Sequence, residues 1–358
     1  MIQRTDPSNP RALPLVVDQL SAATKTPGVP TAEMVPLLRR SLERSPLNPR
    51  AIRQIAAFED ARGRKDASRA LLAVGGRTGR RDPMLNVLLA KNAALDNQAP
   101  ALVRHLDAAL STFRGGDAQV FPLLVKPLAD PRFRAEVKAY MDRPWSEPFM
   151  LYAAQNADPR DVLALALTAP HLQTDPKFER FRGELVSSLV RRGAADRAIA
   201  YARRIAPDPA ALARGGISGA TTDPRFAPVT WRLSNQGGLY VSAQGTGLIV
   251  STDPAARGQA LERVMALAPG RYRLTASRAM PATSDPVIET WSATCLRGTA
   301  EQGIARREGP AQSGPLALPF VVPQGCDGVR LALDIVNRSD QNPAEYEIRD
   351  LRLTREQG

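Results

Sequence analysis

The sequence predicts a chain of two parts, an α-helical array followed by a β-sandwich. Three observations point there. Apolar residues recur at helical spacing through the first two-thirds, and from about Phe226 to Arg355 the period changes from 3.6 to 2. The run Gly215-Gly216-Ile217-Ser218-Gly219-Ala220 breaks the helical pattern between them. At 358 residues each part can bury its own core. The expected boundaries are 1–214 for the helical array, 215–225 for a linker and 226–358 for the sandwich.

The two parts also differ in charge. The formal net charge is +12, yet from Thr221 onward 15 arginines face 14 acids and lysine is absent, so the excess belongs to the helices. Lysine is scarce throughout, with six (Lys25, Lys65, Lys91, Lys126, Lys138, Lys177) against 42 arginines. With the many alanines and prolines, this skew fits a GC-rich bacterial genome. A basic helical body is either a solvated face or the seat of an acidic partner, such as an anionic polysaccharide, lipid head groups or an acidic protein. Nucleic acid is disfavoured, because no basic run is interleaved with stacking aromatics and aromatics make up only 5% of the chain.

The helical part carries a repeat. Asn48-Pro49 and Asp82-Pro83 each open a helix, with Asn or Asp as cap and Pro in the first turn, where its missing N–H costs nothing. The prolines are 34 residues apart, and so are Gly63 and Asn97 at the following turns. The Asn-Pro-Arg-Ala of 9–12 recurs at 48–51, a longer spacing that fits an insertion around Thr26 to Pro30. Later, Leu185 and Leu189 share a helix face, Gly193 makes a turn, and Ala198 and Ala202 are small where two helices must approach closely. These words resemble degenerate tetratricopeptide repeats, lacking the first-helix aromatic and glycine of that motif. The resemblance is best over 9–113 and 178–210, while 116–177 is helical without a legible period. It implies a groove for a peptide or protein partner. Arg39, Arg40, Arg44, Arg50 and Arg53 are the candidates to clamp a partner's carboxylates, or else are solvated. Asp-Pro-x-Phe occurs at 130–133, 175–178 and 223–226, each read as a helix start whose Phe packs inward.

In the last third, Tyr272, Leu274 and Ala276 alternate with polar residues, as do Val329, Leu331, Leu333 and Ile335. Gly- and Pro-containing turns at 236–238, 268–270 and 323–325 divide the region into eight to ten short strands, as a sandwich requires. In the closing strand Tyr346 and Ile348 share one parity, Leu351 and Leu353 the other; a bulge near Arg349-Asp350 reconciles them.

The words Leu-Ala-Pro-Gly-Arg-Tyr-Arg-Leu (267–274), Leu-Pro-Phe-Val-Val-Pro (318–323) and Asp-Leu-Arg-Leu (350–353) resemble the jelly-roll β-sandwich of carbohydrate-binding-module-like domains. Helical-repeat chains ending in such a domain resemble those encoded with bacterial exopolysaccharide assembly and export systems. The resemblance implies a non-enzymatic adaptor or scaffold, with helices on a protein partner and the sandwich on a glycan or an envelope protein. The alternatives are a purely structural interaction protein with no sugar binding and, less favoured, a glycan-active enzyme with two carboxylates in a cleft.

For a glycan, Tyr240 beside Gly237 and Gly238 is the candidate stacking platform, with Arg271 and Arg273 as polar companions. Trp231, at the domain entrance, is either a further ligand ring or a wedge against the helices. Trp291 and Tyr272 share parity with core residues and are read as buried. Glu347 and Asp350, where related sandwiches sometimes hold calcium, are read as a surface salt-bridge cluster. Cys295 and Cys326 fall on or beside neighbouring strand patterns, which suits either a disulfide or a pair of buried thiols. A bridge would add about 3 kcal/mol by closing the loop between them. It would also imply an oxidising compartment, the periplasm in a bacterium; free thiols would fit the cytoplasm. Catalysis has little support: His105 and His171 lack a metal-ligand neighbour at i+4, and nucleophile elbow, phosphate loop and Cys-x-x-Cys are all absent. No cofactor or metal is expected. No stretch reads as a signal-peptide core or a membrane span, and an upstream signal or anchor is left open.

Overall fold

The computed structural model describes residues 12–22, 28–112, 115, 117–218, 221–280 and 287–356. Residues 9–11 of the first Asn-Pro-Arg-Ala, Thr26 and Pro27 of the expected insertion, and Gly219-Ala220 of the expected linker lie outside them. Two compact units are formed, Met1–Ala153 and Ala154–Gly358.

The first unit holds α1 (Leu13–Ala22), α2 (Val35–Arg44), α3 (Pro49–Ala61), α4 (Lys65–Thr78), α5 (Pro83–Leu95), α6 (Ala99–Thr112), α7 (Asp117–Val125) and α8 (Pro131–Lys138). Helix α9 (Ser146–Asn156) runs past its end. The 34-residue period is the period of two helical hairpins, α3–α4 and α5–α6. Asn48 accepts from the N–H groups of Arg50 and Ala51 at 3.2 and 3.4 Å, and Asp82 from that of Leu85 at 2.8 Å. Gly63 (φ 77°) and Asn97 (φ 53°) then turn the chain in the left-handed region, where Gly and Asn cost least. Leu72 of α4, Ala56 of α3 and Leu85 of α5 pack in one buried cluster, so successive hairpins share a core.

The second unit begins with α10 (Pro159–Thr168), α11 (Pro170–Thr174), α12 (Glu179–Arg191) and α13 (Ala195–Ile205). Leu185, Leu189, Ala198 and Ala202 are fully buried between α12 and α13, and Gly193 turns between them at φ 75°. The three Asp-Pro-x-Phe words do cap helical starts: Asp130 caps α8, and Asp175 and Asp223 cap single 3-10 turns. Phe133, Phe178 and Phe226 are all buried. No helix among the described residues is long and apolar enough to cross a membrane.

The sandwich has eleven described strands: β1 (Arg232–Leu233), β2 (Asn235–Gln236), β3 (Leu239–Gln244), β4 (Gly247–Thr252), β5 (Arg257–Met265), β6 (Gly270–Ala279), β7 (Val287–Arg297), β8 (Ala300–Pro310), β9 (Gly314–Val322), β10 (Gly328–Asn337) and β11 (Ala344–Arg355). They form two antiparallel sheets, β1-β5-β10-β7-β8 and β2-β3-β4-β11-β6-β9. From β4 to β11 every connection except the β7–β8 hairpin changes sheet, which is the jelly-roll pattern. Alternate residues fill the space between the sheets, among them Leu274, Trp291, Leu331 and Leu333. In β11 the register shifts between Arg349 and Arg352, with Asp350 at φ 51°, so Tyr346, Ile348 and Leu351 all reach the core. The bulge restores inward parity where a regular strand would have lost it.

Helices α12 and α13 rest on the outer face of the first sheet. A Cβ added at Gly328 of β10 would lie 3.2 Å from that of Ala195, and one at Gly193 would fall 2.3 Å from the carbonyl carbon of Gly298 in the β7–β8 turn. Arg232 also donates to Ser187 Oγ of α12 at 3.1 Å.

Arg263 shares the inward parity of Leu261 and Met265 on β5, yet it is charged and fully buried. Its guanidinium donates to the carbonyls of Val229 (3.0 Å), Arg214 (2.6 Å) and Leu212 (2.9 Å) and lies 5.8 Å from the centroid of the Trp231 ring. Burial lowers its pKa to about 10, so it remains a cation at neutral pH. Arg263→Met strands these carbonyls and should cost about 3–5 kcal/mol. Arg263→Lys should recover less than half, since one ammonium cannot reproduce a planar fork. Urea unfolding followed by tryptophan fluorescence measures both.

Cys295 and Cys326 form a disulfide with Cα atoms 5.5 Å apart, joining β7 to the turn that enters β10. Its reduction should lower the unfolding free energy by about 3 kcal/mol, read from urea curves with and without reductant.

Candidate functional site

Between the helical cover and the far end of the first sheet, the outer face changes character along β10. Gly328 lies under α13. Next comes a strip of ion pairs, Arg232–Glu262 at 2.7 Å, Arg330–Glu262 at 3.7 Å and Arg330–Glu301 at 2.8 Å. Beyond it the face is open, and strand register builds three rows across β8, β7 and β10. Arg306, Ser292 and Ala332 form the first, Glu308, Thr290 and Asp334 the second, Pro310, Ile288 and Val336 the third. All of these except Ala332 and Pro310, with Arg338 just past β10, line a groove of about 400 Å³.

Strand alternation explains this composition. Inward neighbours Glu289, Trp291 and Ala293 belong to the core, so Ile288, Thr290 and Ser292 must face out. The side chains of Thr290, Ser292 and Asp334 meet no hydrogen-bond partner among the described residues, whereas Arg306 and Glu308 pair at 2.7 Å. Partial burial raises the pKa of Asp334, and the nearby Arg306 charge opposes that shift. Ile288 and the 40%-exposed Val336 add an aliphatic patch. Such a surface offers hydroxyls, a carboxylate and guanidinium forks over a few apolar carbons. It can exchange hydrogen bonds with a polyhydroxylated or otherwise polar chain, but it has no ring on which to stack one.

The residues singled out in the sequence are dispersed. Tyr240 stands on the outer face of the second sheet, 49% exposed, paired with Asn235 and Ser251; Ser251 donates to Glu345 at 2.9 Å. Arg271 and Arg273 are on β6 of the same sheet but do not accompany it. The row of Tyr240 meets β11 at Glu345, whereas Arg273 pairs with Thr354, nine residues further along. At ~3.3 Å per residue the two rows are roughly 25–30 Å apart. Arg273 is instead bound to Glu356 at 2.6 Å. Trp231 is 1% exposed beside Arg263, so its ring is not offered to a ligand. Glu347 pairs with Arg349, and Asp350 with Arg352 at 3.5 Å; no cluster able to hold a metal ion occurs among the described residues.

In the helices, Arg39 and Arg40 are exposed on α2. Arg50 and Arg53 are turned to the molecule's own acids: both reach Asp18, at 3.4 and 3.3 Å, and Arg53 also reaches Asp82 at 3.8 Å. His105 contacts Asn86 Oδ1 through Nδ1 at 3.2 Å. The groove on the first sheet has no motif in the sequence, because Thr290, Ser292 and Asp334 converge only through the β7–β10 register. The parity of Trp291 and Cys295 was the one available signal that their neighbours face outward.

No protein-family model matches the chain, and no curated protein does. Solved structures similar to it include a CBM4 module, at 9% identity over 34% of this chain and 79% of that one with a TM-score of 0.26. TmCBM61 in complex with β-1,4-galactotriose gives 16%, 35%, 88% and 0.26 in the same order. The CBM22-1 xylan-binding domain of Paenibacillus barcinonensis Xyn10C gives 14%, 35%, 85% and 0.27. Likeness at this level carries neither ligand nor activity across.

The raised pKa of Asp334 makes a prediction with a definite sign. In the pH window above the ordinary value of 3.8, the folded chain holds more protons at this site than the unfolded one, so its contribution to stability falls as pH rises. Asp334→Asn removes the penalty and should be more stable than the parent at pH 7, with the difference closing toward pH 3. Urea unfolding at both pH values measures it, and a variant less stable at pH 7 would contradict the assignment.

Proposed function

We propose that the protein is a non-enzymatic adaptor of a bacterial envelope polysaccharide assembly or export system. Its sandwich takes a glycan in the groove of the first sheet, and its helices dock a protein partner. The observation that carries this reading is the set of unpartnered Thr290, Ser292 and Asp334 side chains in adjoining rows of an open groove, beside a strip of ion pairs. Hydroxyl-rich ligands replace the water lost from such groups one for one, and Ile288 with Val336 can take the C–H edges of a sugar. Glu308 is held by Arg306, which favours binding over acid–base chemistry. The disulfide supports a periplasmic setting.

Affinity electrophoresis of the full chain in gels containing xylan, galactan or an acidic exopolysaccharide tests the reading. Saturable retardation by at least one polymer is expected, weakened about tenfold or more in the triple variant Thr290→Ala, Ser292→Ala, Arg306→Ala, which removes several hydrogen bonds. Tyr240→Ala should leave it unchanged; loss with Tyr240→Ala alone would move the site to the second sheet. Retardation by none of them would favour the purely structural role, and release of reducing ends would make the protein an enzyme.

A further inference from the structure

Helix α13 has two working faces. Ala195 and Ile199 lie against Gly328 of the first sheet, and Ala198 and Ala202 are buried. The opposite side, with Arg197, Ala200 and Arg204, forms a groove of about 450 Å³ with Arg160, Leu163, Ala164 and Leu167 of α10. Tyr201 completes the lining; it is 2% exposed, and its hydroxyl meets no hydrogen-bond partner among the described residues. Burial holds that phenol above its ordinary pKa, so it stays a neutral donor.

The composition is one-sided: three arginines and not one acid line the groove. Arg160 and Arg197 have no carboxylate within ion-pair reach among the described residues, and Arg204 donates only its Nε–H, to Gln173 at 3.0 Å. Guanidinium forks match carboxylates in two parallel hydrogen bonds. The aliphatic stretch between them, with Leu167 38% exposed, calls for an apolar side chain and has no exposed ring on which a sugar or base could stack.

We propose that the α10–α13 groove docks an acidic peptide segment of a partner protein, its carboxylates on Arg160, Arg197 and Arg204 and an apolar side chain against Leu163 and Leu167. This deepens the adaptor reading by naming the surface and the chemistry of the partner. It shares no residue with the sandwich groove, so glycan binding can fail without it and it can fail without glycan binding.

Panning a phage library of random dodecapeptides on the immobilised full chain, with the Arg160→Glu/Arg197→Glu variant as counter-selection, tests it. Recovered sequences should be rich in Asp and Glu around a Leu, Ile or Met. Fluorescence anisotropy of a labelled synthetic peptide of recovered sequence should show affinity reduced about twentyfold by the charge reversal and about fivefold by Leu167→Ser. Arg104→Glu/Arg132→Glu, the same charge change elsewhere on the chain, should shift it less than about threefold. Circular dichroism verifies that each variant folds, and Arg160→Gln/Arg197→Gln replaces the reversed pair if that one does not. Peptides without acidic enrichment, or equal losses from both charge reversals, would overturn the proposal. So would displacement of the peptide by polygalacturonate at equal carboxylate concentration, which would assign the groove to an anionic glycan.

Discussion

The second unit depends on how one buried cation is satisfied. Between α13 and β1 the described chain is held only in single 3-10 turns, and it carries carbonyls that no strand or helix claims. Arg263 collects three of them on one guanidinium, at Leu212, Arg214 and Val229. A hydrophobic residue would pack better against Leu261 and Met265, but it would leave those carbonyls dry and unpaired. The same contact sets Trp231 beside the guanidinium and delivers Arg232 to β1, where it reaches both Glu262 and Ser187. The position of the helical cover on the first sheet, and so the part of that sheet left open, follows from this closure.

The surface electrostatics divide along the same line. A formal charge of +12 suggests a broadly cationic molecule, but many of its arginines are spent internally. Arg50 and Arg53 secure α3 to Asp18, Arg232 and Arg330 brace Glu262, and Arg278 of β6 meets Glu289 of β7 at 2.9 Å inside the sandwich. Exposed pairs among these add little stability, whereas the buried cross-sheet pair is costly to break. The arginines free to meet a partner are those that local acids leave alone.

Much of the fold was legible in the sequence, because periodicity and capping are local. The hairpins of α3 to α6 could be read from Asn48, Asp82, Gly63 and Asn97, and the β11 bulge from a change of parity at Arg349-Asp350. Sites were less legible because they depend on register across strands distant in sequence. Tyr240 was recognisable as outward-facing, but nothing local places it nine residues of β11 away from the row of Arg273. The place of Trp231 at the domain entrance suits either a ligand ring or a wedge, and its burial beside Arg263, more than thirty residues away, decides against the first. Thr290, Ser292 and Asp334 carry no motif at all, and only the pairing of β7 with β10 makes them neighbours.

The packing of α13 on the first sheet has a consequence for how two ligands would be brought together. Ala195 and Ile199 touch the sheet directly, so no flexible tether separates the helix from the strands bearing Thr290 and Asp334. With a linker, the second ligand would meet the first at an effective concentration diluted by every conformation the linker can adopt. Here the separation and orientation are built into a shared core, and molecules seated on the helix and on the sheet would be presented to each other at one fixed spacing.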